Sequence, residues 1–253
     1  MLAGVSESQA VLTLLDDPDP TVRDALAQRL VEDADLRDRC WAACAGDPPP
    51  ILLEAVLRTD ALGLIEAWGA CDGLEAGWSL LARLHLPRQD HAPACQAQLD
   101  ALAARAPHGN AGQVARWLAH DVGFAGDREA YDDPRNSHLP EVLARRAGLP
   151  IAVTGVWLLV CRRLGLAARA VAMPAHVFAA WDGGAWDCFT GQAVSDRQLE
   201  MWARTHGATS AKPFLAGADD RELLLRMARN LAAAYARRDD LVRGAIAAVL
   251  ARA

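Results

Sequence analysis

The most constraining feature of the chain is an apolar segment from Pro150 to Cys161, PIAVTGVWLLVC, which contains no charged side chain. Pro150 suits the first turn of a helix, where its missing N–H is not needed, and Gly165 suits the position just after the end. Apolar side chains would surround nearly the whole helix, so other elements must cover it on every side. Because the segment is too short to span a bilayer, it predicts a central core helix.

The composition fits a globular protein that is large enough to enclose such a helix. The chain has 253 residues, of which 52% are hydrophobic and 23% charged. Its net charge of −6 argues against a nucleic-acid surface, which needs a concentrated basic stripe. The N-terminus lacks a basic region followed by an apolar core, so we expect no secretory signal. These observations predict a cytoplasmic protein with neither nucleic acid nor a membrane as a partner.

The cysteines do not form a metal-binding pattern. Six are scattered along the chain, at Cys40, Cys44, Cys71, Cys95, Cys161 and Cys188, and no C-x-x-C pair occurs. A zinc site would require tighter pairs with histidine partners. We therefore expect reduced, mostly buried thiols, with no metal and no cofactor.

Helical periodicity and turn-forming residues divide the chain into three predicted parts. Residues 1–110 contain successive helical patterns, and the Pro18-Asp-Pro20 turn between two of them resembles the turn of a HEAT-type repeat. The run PHGNAG marks the boundary to a mixed segment, residues 111–217. Residues 218–253 predict two helices similar to a tetratricopeptide-type hairpin. The predicted fold class is α+β, predominantly helical, with a small antiparallel sheet.

A hairpin in the mixed segment carries one histidine and one aspartate. A two-residue turn at Asp182-Gly183 would pair Trp181 with Gly184. With that turn, His176 and Asp187 become diagonal neighbours on one face of the hairpin, whereas a three-residue turn would place them on opposite faces. An imidazole oriented by a carboxylate is the base half of a nucleophilic triad, although the same pair can also simply stabilise two strands.

The start of the predicted central helix carries no nucleophile. A thiol there would have its pKa lowered by the helix dipole, but the position belongs to Pro150. Thr154 lies one turn further along, and nothing there activates its hydroxyl. Cys161 falls roughly 16 Å away by helix rise. Cys188 points to the other face of its strand, so both cysteines are expected to be core residues.

The loop YDDPRNS, residues 131–137, allows two interpretations. Its residues combine turn chemistry with a serine, Ser137, that suits the N-cap of the next helix. Alternatively, Asp133, Asn136 and Ser137 form the rim of a cleft, with Asn136 donating a hydrogen bond to a bound carbonyl or to His176. In the second interpretation Pro150 and Thr154 also line the cleft.

Several short motifs between residues 124 and 192 occur together in one known family. They are Phe124-Ala-Gly126, Tyr131–Ser137, Leu139, Val142-Leu143, Arg145–Ile151, Arg163-Leu-Gly165, Pro174–Phe178 and Asp187–Gly191. This combination resembles the SirB-type branch of the transglutaminase-like superfamily, bacterial proteins often followed by tetratricopeptide repeats. The match extends more loosely into residues 224–239.

The resemblance implies a papain-like core in which a central helix packs against a small antiparallel sheet that bears the His and the Asp. In active transglutaminases a Gly-x-Cys at the helix start supplies the thiol. This chain has Gly148-Leu-Pro150 at that place, whereas His176 and Asp187 match the other two triad positions. The resemblance therefore implies a member of the family without the catalytic thiol.

Two functions follow from these predictions. In the first, the protein is a pseudoenzyme, a binding, adaptor or regulatory module that uses the cleft around His176 and Asp187 for a small ligand and its helical regions for a protein or peptide partner. In the alternative, it is a hydrolase or transferase acting on a peptide, an amide or another small substrate, with His176 as a general base and no thiol. A His/Asp metal site would lack enough clustered ligands.

Overall fold

The computed structural model describes residues 6–44 and 48–252. Its elements are mainly helices with a small antiparallel sheet, which confirms the predicted fold class. The chain forms two compact units, divided between Ala67 and Trp68. The three-part division at residues 110 and 217, with its HEAT-like and tetratricopeptide-like ends, stays a prediction.

The first unit is built from helices around a core of leucines. Its elements are α1 Glu7–Leu14, α2 Pro20–Glu32, α3 Ala34–Ala43 and the greater part of α4 Pro50–Ala70. Helix α2 begins after the predicted proline turn, where the Asp19 carboxylate accepts from the Thr21 amide, so Thr21 is a first-turn residue and Asp19 is the N-cap. Leu30, Leu36 and Leu52 are fully buried in the core of this unit.

The second unit contains most of the helices. They are α5 Leu74–Ala82, α6 Ala92–Arg105, α7 Ala111–Trp117, α8 Leu139–Arg145, α9 Pro150–Arg163, α10 Asp196–Thr205, α11 Asp220–Ala236 and α12 Leu241–Leu250. Helix α7 continues into a π-helical turn, Leu118–Val122, and two short 3-10 turns occupy Pro134–Ser137 and Lys212–Phe214. Helix α10 was not predicted, although Ser195 and Gln198 form a capping box at its start.

The strands of the second unit form two sheets. The short strands β1 Ala125–Gly126 and β2 Ala147–Gly148 pair in parallel. The strands β3 Arg169–Met173, β4 His176–Trp181, β5 Gly184–Asp187 and β6 Gln192–Val194 form an antiparallel sheet in chain order.

The hairpin between β4 and β5 has the predicted register. Trp181 pairs with Gly184 and Ala179 with Trp186, as a two-residue turn requires. Gly183 in that turn has a φ of 115°, a backbone conformation open to glycine and strained for other residues. His176 and Asp187 therefore lie on the same face of the sheet.

Helix α9 is the predicted central helix. Every side chain from Pro150 to Cys161 is buried. The Trp157 indole N–H donates to the Ala111 carbonyl at 2.9 Å, which joins α9 to the start of α7. At the other end the Arg163 guanidinium binds Glu75 of α5 at 2.8 Å and Asp100 of α6 at 2.6 Å. Elements that precede α9 in the sequence thus contact it at both of its ends.

The two faces of the antiparallel sheet contact different helices. Alternation places His176, Phe178 and Ala180 on one face, where Phe178 and Ala180 pack in one core cluster with Leu199 and Ala203 of α10. The opposite face of β4 packs against α9, where the Thr154 hydroxyl donates to the Val177 carbonyl at 3.2 Å. No helix within residues 6–44 and 48–252 is long and apolar enough to cross a membrane.

We expect Gly155→Ala to destabilise the second unit by about 1–2 kcal/mol, because the new methyl group overpacks the core. A Cβ at Gly155 would lie 2.9 Å from the Trp78 ring. That ring cannot move easily, since it is fully buried and its indole N–H donates to the Ser137 carbonyl at 2.7 Å. Urea denaturation followed by tryptophan fluorescence measures the change.

Gly69→Ala is the matched control, because a Cβ there meets no atom within 4 Å. It should leave the free energy of unfolding unchanged or raise it by up to about 1 kcal/mol, because alanine favours a helix over glycine. Equal effects of the two substitutions would contradict the close packing of α9 against Trp78.

Candidate functional site

His176 and Asp187 form a buried hydrogen-bonded pair. The His176 Nε2 atom lies 2.9 Å from Asp187 Oδ1, and the two residues are only 7% and 8% exposed. His176 is the first residue of β4 and Asp187 the last of β5, so the hairpin register itself brings them together. The predicted proximity of the two residues is confirmed, whereas a catalytic role for them stays a prediction.

Asp187 is held in place by the turn that follows it. Its Oδ1 accepts from the Phe189 amide at 2.9 Å, and its Oδ2 accepts from the Thr190 hydroxyl at 2.8 Å. Burial acts to raise the pKa of Asp187, but the hydrogen bonds from His176 and Thr190 outweigh it and lower the pKa overall. The carboxylate therefore stays ionised and fixes the orientation of the imidazole.

Aromatic rings enclose the His176 imidazole. The centroid of its ring lies 4.4 Å from that of Phe178, 4.9 Å from that of Trp202 and 6.1 Å from that of Phe189. Trp202 belongs to α10, and its indole N–H donates to the Pro174 carbonyl at 3.0 Å. The sequence prediction missed Trp202, and the capping box before α10 was the signal that could have found the helix.

The helix start beside the sheet offers no reactive side chain. Pro150 is buried in the first turn of α9, where a helix needs no N–H from it. Thr154, one turn later, is fully buried and donates its hydroxyl to Val177. The structure thus gives Thr154 a role in joining α9 to β4, and its place in a ligand cleft stays a prediction.

The cysteines are disfavoured as nucleophiles by burial. Burial raises the pKa of Cys161 to about 12 and that of Cys95 to about 11. Burial also raises the pKa of Cys188, against a smaller opposing effect of a hydrogen bond with Thr154. Because only a thiolate attacks, these thiols are inert near neutral pH.

Asp133 is the centre of a group of ion pairs. Its carboxylate accepts from the Arg135 guanidinium at 2.8 Å and lies 3.3 Å from that of Arg238, in the turn just after α11. Burial acts to raise the pKa of Asp133, but the contacts with the two arginines lower it to about 2. The carboxylate therefore joins the 131–137 loop to the end of α11.

Asn136 and Ser137 are buried in the same loop. The Asn136 amide donates to the Ala130 carbonyl at 2.7 Å and not to His176, and its oxygen accepts from Arg145 at 3.0 Å. The predicted hydrogen bond from Asn136 to His176 is wrong, because the amide is used to close the loop on itself.

The prediction that Ser137 caps the next helix is also wrong. Ser137 ends a separate 3-10 turn, and His138 holds the position before α8. The His138 ring is completely buried and lies 2.8 Å from the Tyr235 hydroxyl of α11. The 3-10 turn therefore lies between the loop and α8, and His138, which follows that turn, contacts α11.

A cavity of about 950 Å³ lies beside the hairpin but does not include the histidine pair. Trp117, Trp181 and Trp186 line it, together with residues of α7 and the edge strand β6. Trp181 and Trp186 project from the sheet face opposite His176. Within the described ranges, no group of three or more His, Cys, Asp or Glu residues is placed to hold a metal ion.

Comparison with known proteins identifies the family to which this part of the chain belongs. Residues 89–229 match the model of a family described as the transglutaminase-like superfamily. The chain belongs to the transglutaminase-like superfamily. The match includes α9, the four-stranded sheet and the greater part of α11, and therefore the whole environment of His176 and Asp187.

The curated relatives carry little functional information. A UPF0162 protein of Xylella fastidiosa is 35% identical over 143 residues, 52% of this chain and 51% of the relative. A UPF0162 protein of Vibrio cholerae is 32% identical over 102 residues, 38% of each chain. Human F-box only protein 21 is 36% identical over 68 residues, 27% of this chain and 11% of that protein.

The chain spans about half the length, or less, of the curated relatives that it matches. No solved structure matches it.

We expect Asp133→Asn to lower the free energy of unfolding by about 2 kcal/mol near neutral pH. The folded pKa of Asp133, about 2, lies below the ordinary value of 3.8, so its ion pairs stabilise the fold fully above about pH 4 and are lost as the pH falls through 2. The difference between wild type and variant should shrink to nothing over that range, measured by urea denaturation.

Asp132→Asn serves as the control. The neighbouring Asp132 is exposed and pairs with Arg237 at the surface, at 3.0 Å. Its substitution should cost less than about 0.5 kcal/mol. A loss for Asp133→Asn that did not diminish in acid would contradict the role of the ion pairs.

Proposed function

We propose that the protein is a SirB-type member of the superfamily that acts without cysteine catalysis, as a binding or regulatory module whose cleft lies around His176 and Asp187. The observation that carries the proposal is Pro150, buried at the start of α9 where active relatives of this fold carry the thiol. Proline has no group that can attack a carbonyl. It also fits the helix start without strain, so the site keeps its shape without its nucleophile.

The remaining thiols support the proposal. Cys161 lies about three turns from the helix start by helix rise. Burial raises the pKa of both Cys161 and Cys188, so neither replaces the missing nucleophile. A thiol mechanism would need a partly exposed sulfur in an electropositive environment.

The surroundings of the histidine pair support a binding role. Asp187 is held by a complete set of hydrogen bonds, and the imidazole is enclosed by Phe178, Phe189 and Trp202. Fixed polar groups beside aromatic rings are the features by which small-ligand sites orient a ligand. The helices at both ends of the chain would then be available to a protein or peptide partner.

We expect neither Cys161 nor Cys188 of the folded protein to react faster than an ordinary thiol at pH 7, because burial keeps the two sulfurs protonated. Iodoacetamide labelling with site assignment by mass spectrometry measures this, and the urea-unfolded protein, in which all six cysteines should react, is the control. Rapid labelling of Cys161 or Cys188 alone in the folded state would overturn the proposal.

A second function is favoured by one observation on the imidazole. His176 uses Nε2 for Asp187, and its Nδ1 makes no hydrogen bond within the part of the chain that the structure describes. A histidine oriented by a carboxylate and with one free ring nitrogen is the arrangement of a general base. The alternative is therefore a hydrolase or transferase that activates a water or a substrate proton through His176.

His176→Gln distinguishes the two functions, because glutamine can still hydrogen-bond Asp187 but cannot take up a proton near neutral pH. If His176 is a general base, the variant should stay folded and lose turnover by about 10²–10⁴-fold. If the cleft only binds, wild type and variant should both form no product from a panel of peptide and amide substrates analysed by mass spectrometry.

Asp187→Asn is the matched variant, since it removes the charge that orients the imidazole and keeps the size of the side chain. A base mechanism predicts a loss of turnover for it as well. Product formed by wild type and by both variants at one rate would exclude the histidine from the chemistry.

A further inference from the structure

Arg226 in α11 is a half-buried arginine without a carboxylate partner. Its guanidinium donates to the His176 main-chain carbonyl at 3.1 Å. Within the described ranges no Asp or Glu oxygen lies within ion-pair distance of it. Glu222, one turn earlier in the same helix, is exposed and interacts with it only at longer range.

This distinguishes Arg226 from the other arginines that join helices of the second unit. Those arginines bind carboxylates closely, in the pairs Arg145–Asp127 at 2.5 Å, Arg162–Asp220 at 2.5 Å, Arg163–Glu75 at 2.8 Å and Arg243–Asp240 at 2.6 Å. In each pair the charges compensate each other as they leave water. Arg226 lacks that compensation, although it is half-buried, as Arg145, Arg163 and Arg243 are.

The unused donors of Arg226 fit an anion. A guanidinium has five N–H donors in a planar fork that matches a carboxylate, and the His176 carbonyl occupies one direction only. Burial lowers the pKa of Arg226, which shows that its charge is poorly solvated where it lies. A ligand carboxylate would supply the missing counter-charge.

Aromatic side chains lie beside His176, the residue whose main-chain carbonyl Arg226 binds. The Tyr131 ring is 45% exposed and meets the Phe189 ring edge-on at 5.9 Å. Phe189 in turn lies edge-on to His176 at 6.1 Å. Burial raises the pKa of the Tyr131 phenol, and the charge of Arg226 acts to lower it.

The acidic groups nearby are already compensated. Asp187 accepts from His176 and from Thr190, and Asp132 pairs with Arg237 at 3.0 Å. Neither carboxylate therefore pairs with Arg226.

We propose that Arg226 binds the carboxylate of a small ligand whose aromatic or branched apolar part lies on Tyr131 and Phe189. The proposal rests on the binding cleft proposed above and names the class of ligand that the cleft takes. The carboxylate sits against the α11 side of the His176 strand, and the apolar part covers the exposed face of Tyr131. The ligand carboxylate forms an ion pair with Arg226, and this interaction gives it an affinity that a neutral ligand lacks.

Benzoate and benzamide test the charge, because they share ring and size and differ in the carboxylate. We expect benzoate to produce saturable shifts of the Trp202 indole and Arg226 Nε signals in ¹H–¹⁵N spectra of the full chain, with millimolar affinity. Benzamide should bind at least about tenfold more weakly, the usual difference for a charge-assisted hydrogen-bonded pair.

Arg226→Gln should reduce benzoate affinity by about tenfold, to the level of benzamide. Arg226→Lys, which keeps the charge without the fork, should retain part of the difference and guards against a folding defect in the glutamine variant. Arg229→Gln is the control, because Arg229 is exposed three residues further along α11, and it should change the affinity by less than about threefold.

Equal affinities for benzoate and benzamide, unchanged by Arg226→Gln, would overturn the anchoring role and leave the binding cleft intact. No saturable shift with benzoate would also overturn it. Different results would contradict the proposed function as a binding module: rapid labelling of Cys161 or Cys188 in the folded protein, or turnover that depends on His176.

Discussion

The complete burial of helix α9 is the constraint on which the rest of the second unit depends. From Pro150 to Cys161 the helix has no face that tolerates water, and each fully buried Val or Leu contributes about 1.5–3 kcal/mol when it is covered. The sheet covers one side, while α6, α7, α8 and α11 contact others. Because so much stability depends on this one helix, its position relative to β4 is fixed, and with it the distance between the helix start and His176.

Hydrogen bonds hold the start of α9, where Pro150 lies, in a fixed position. The Leu149 amide donates to the Asn136 carbonyl at 3.0 Å, and one turn later Thr154 donates to Val177. These contacts hold the helix start between the 131–137 loop and the sheet. The His–Asp pair depends on the hairpin and its turn, so it does not need a thiol to be ordered. The same burial that orders the core keeps the thiols of Cys161 and Cys188 protonated.

Charge compensation divides the arginines of the second unit into two groups. Most of those at helix contacts bind a carboxylate, and Asp133 forms ion pairs with two arginines, Arg135 and Arg238. Arg226 is half-buried without a carboxylate partner, and it contacts the backbone of His176 itself. An uncompensated cation costs stability, so its presence next to the histidine pair is a reason to connect the two in function.

Local rules accounted for the elements nearest the site. The apolar run, Pro150 and Gly165 predicted α9 nearly to the residue, and the Asp182-Gly183 turn predicted the register that joins His176 to Asp187. The same rules failed at Ser137. A serine suits a helix cap, but His138 holds the cap position of α8, and its buried ring contacts Tyr235. They also missed α10, although its amphipathic pattern and its capping box are present in the sequence just after β6.

The amino-acid sequence was enough to predict the fold class, the central helix and a hairpin, and it shows that no thiol lies at the helix start, whereas the structure selected the two-residue turn from the two alternatives. These depend on periodicity, turns and the identity of single residues, all of which act over a few positions. Three contacts became known only from the tertiary structure. Trp202 covers the imidazole, Asp133 binds Arg238, and Arg226, which has no carboxylate partner, donates to the main-chain carbonyl of His176. The reason is that these partners are separated by 26 residues or more, so their contacts depend on how the helices pack and leave no trace in the local pattern.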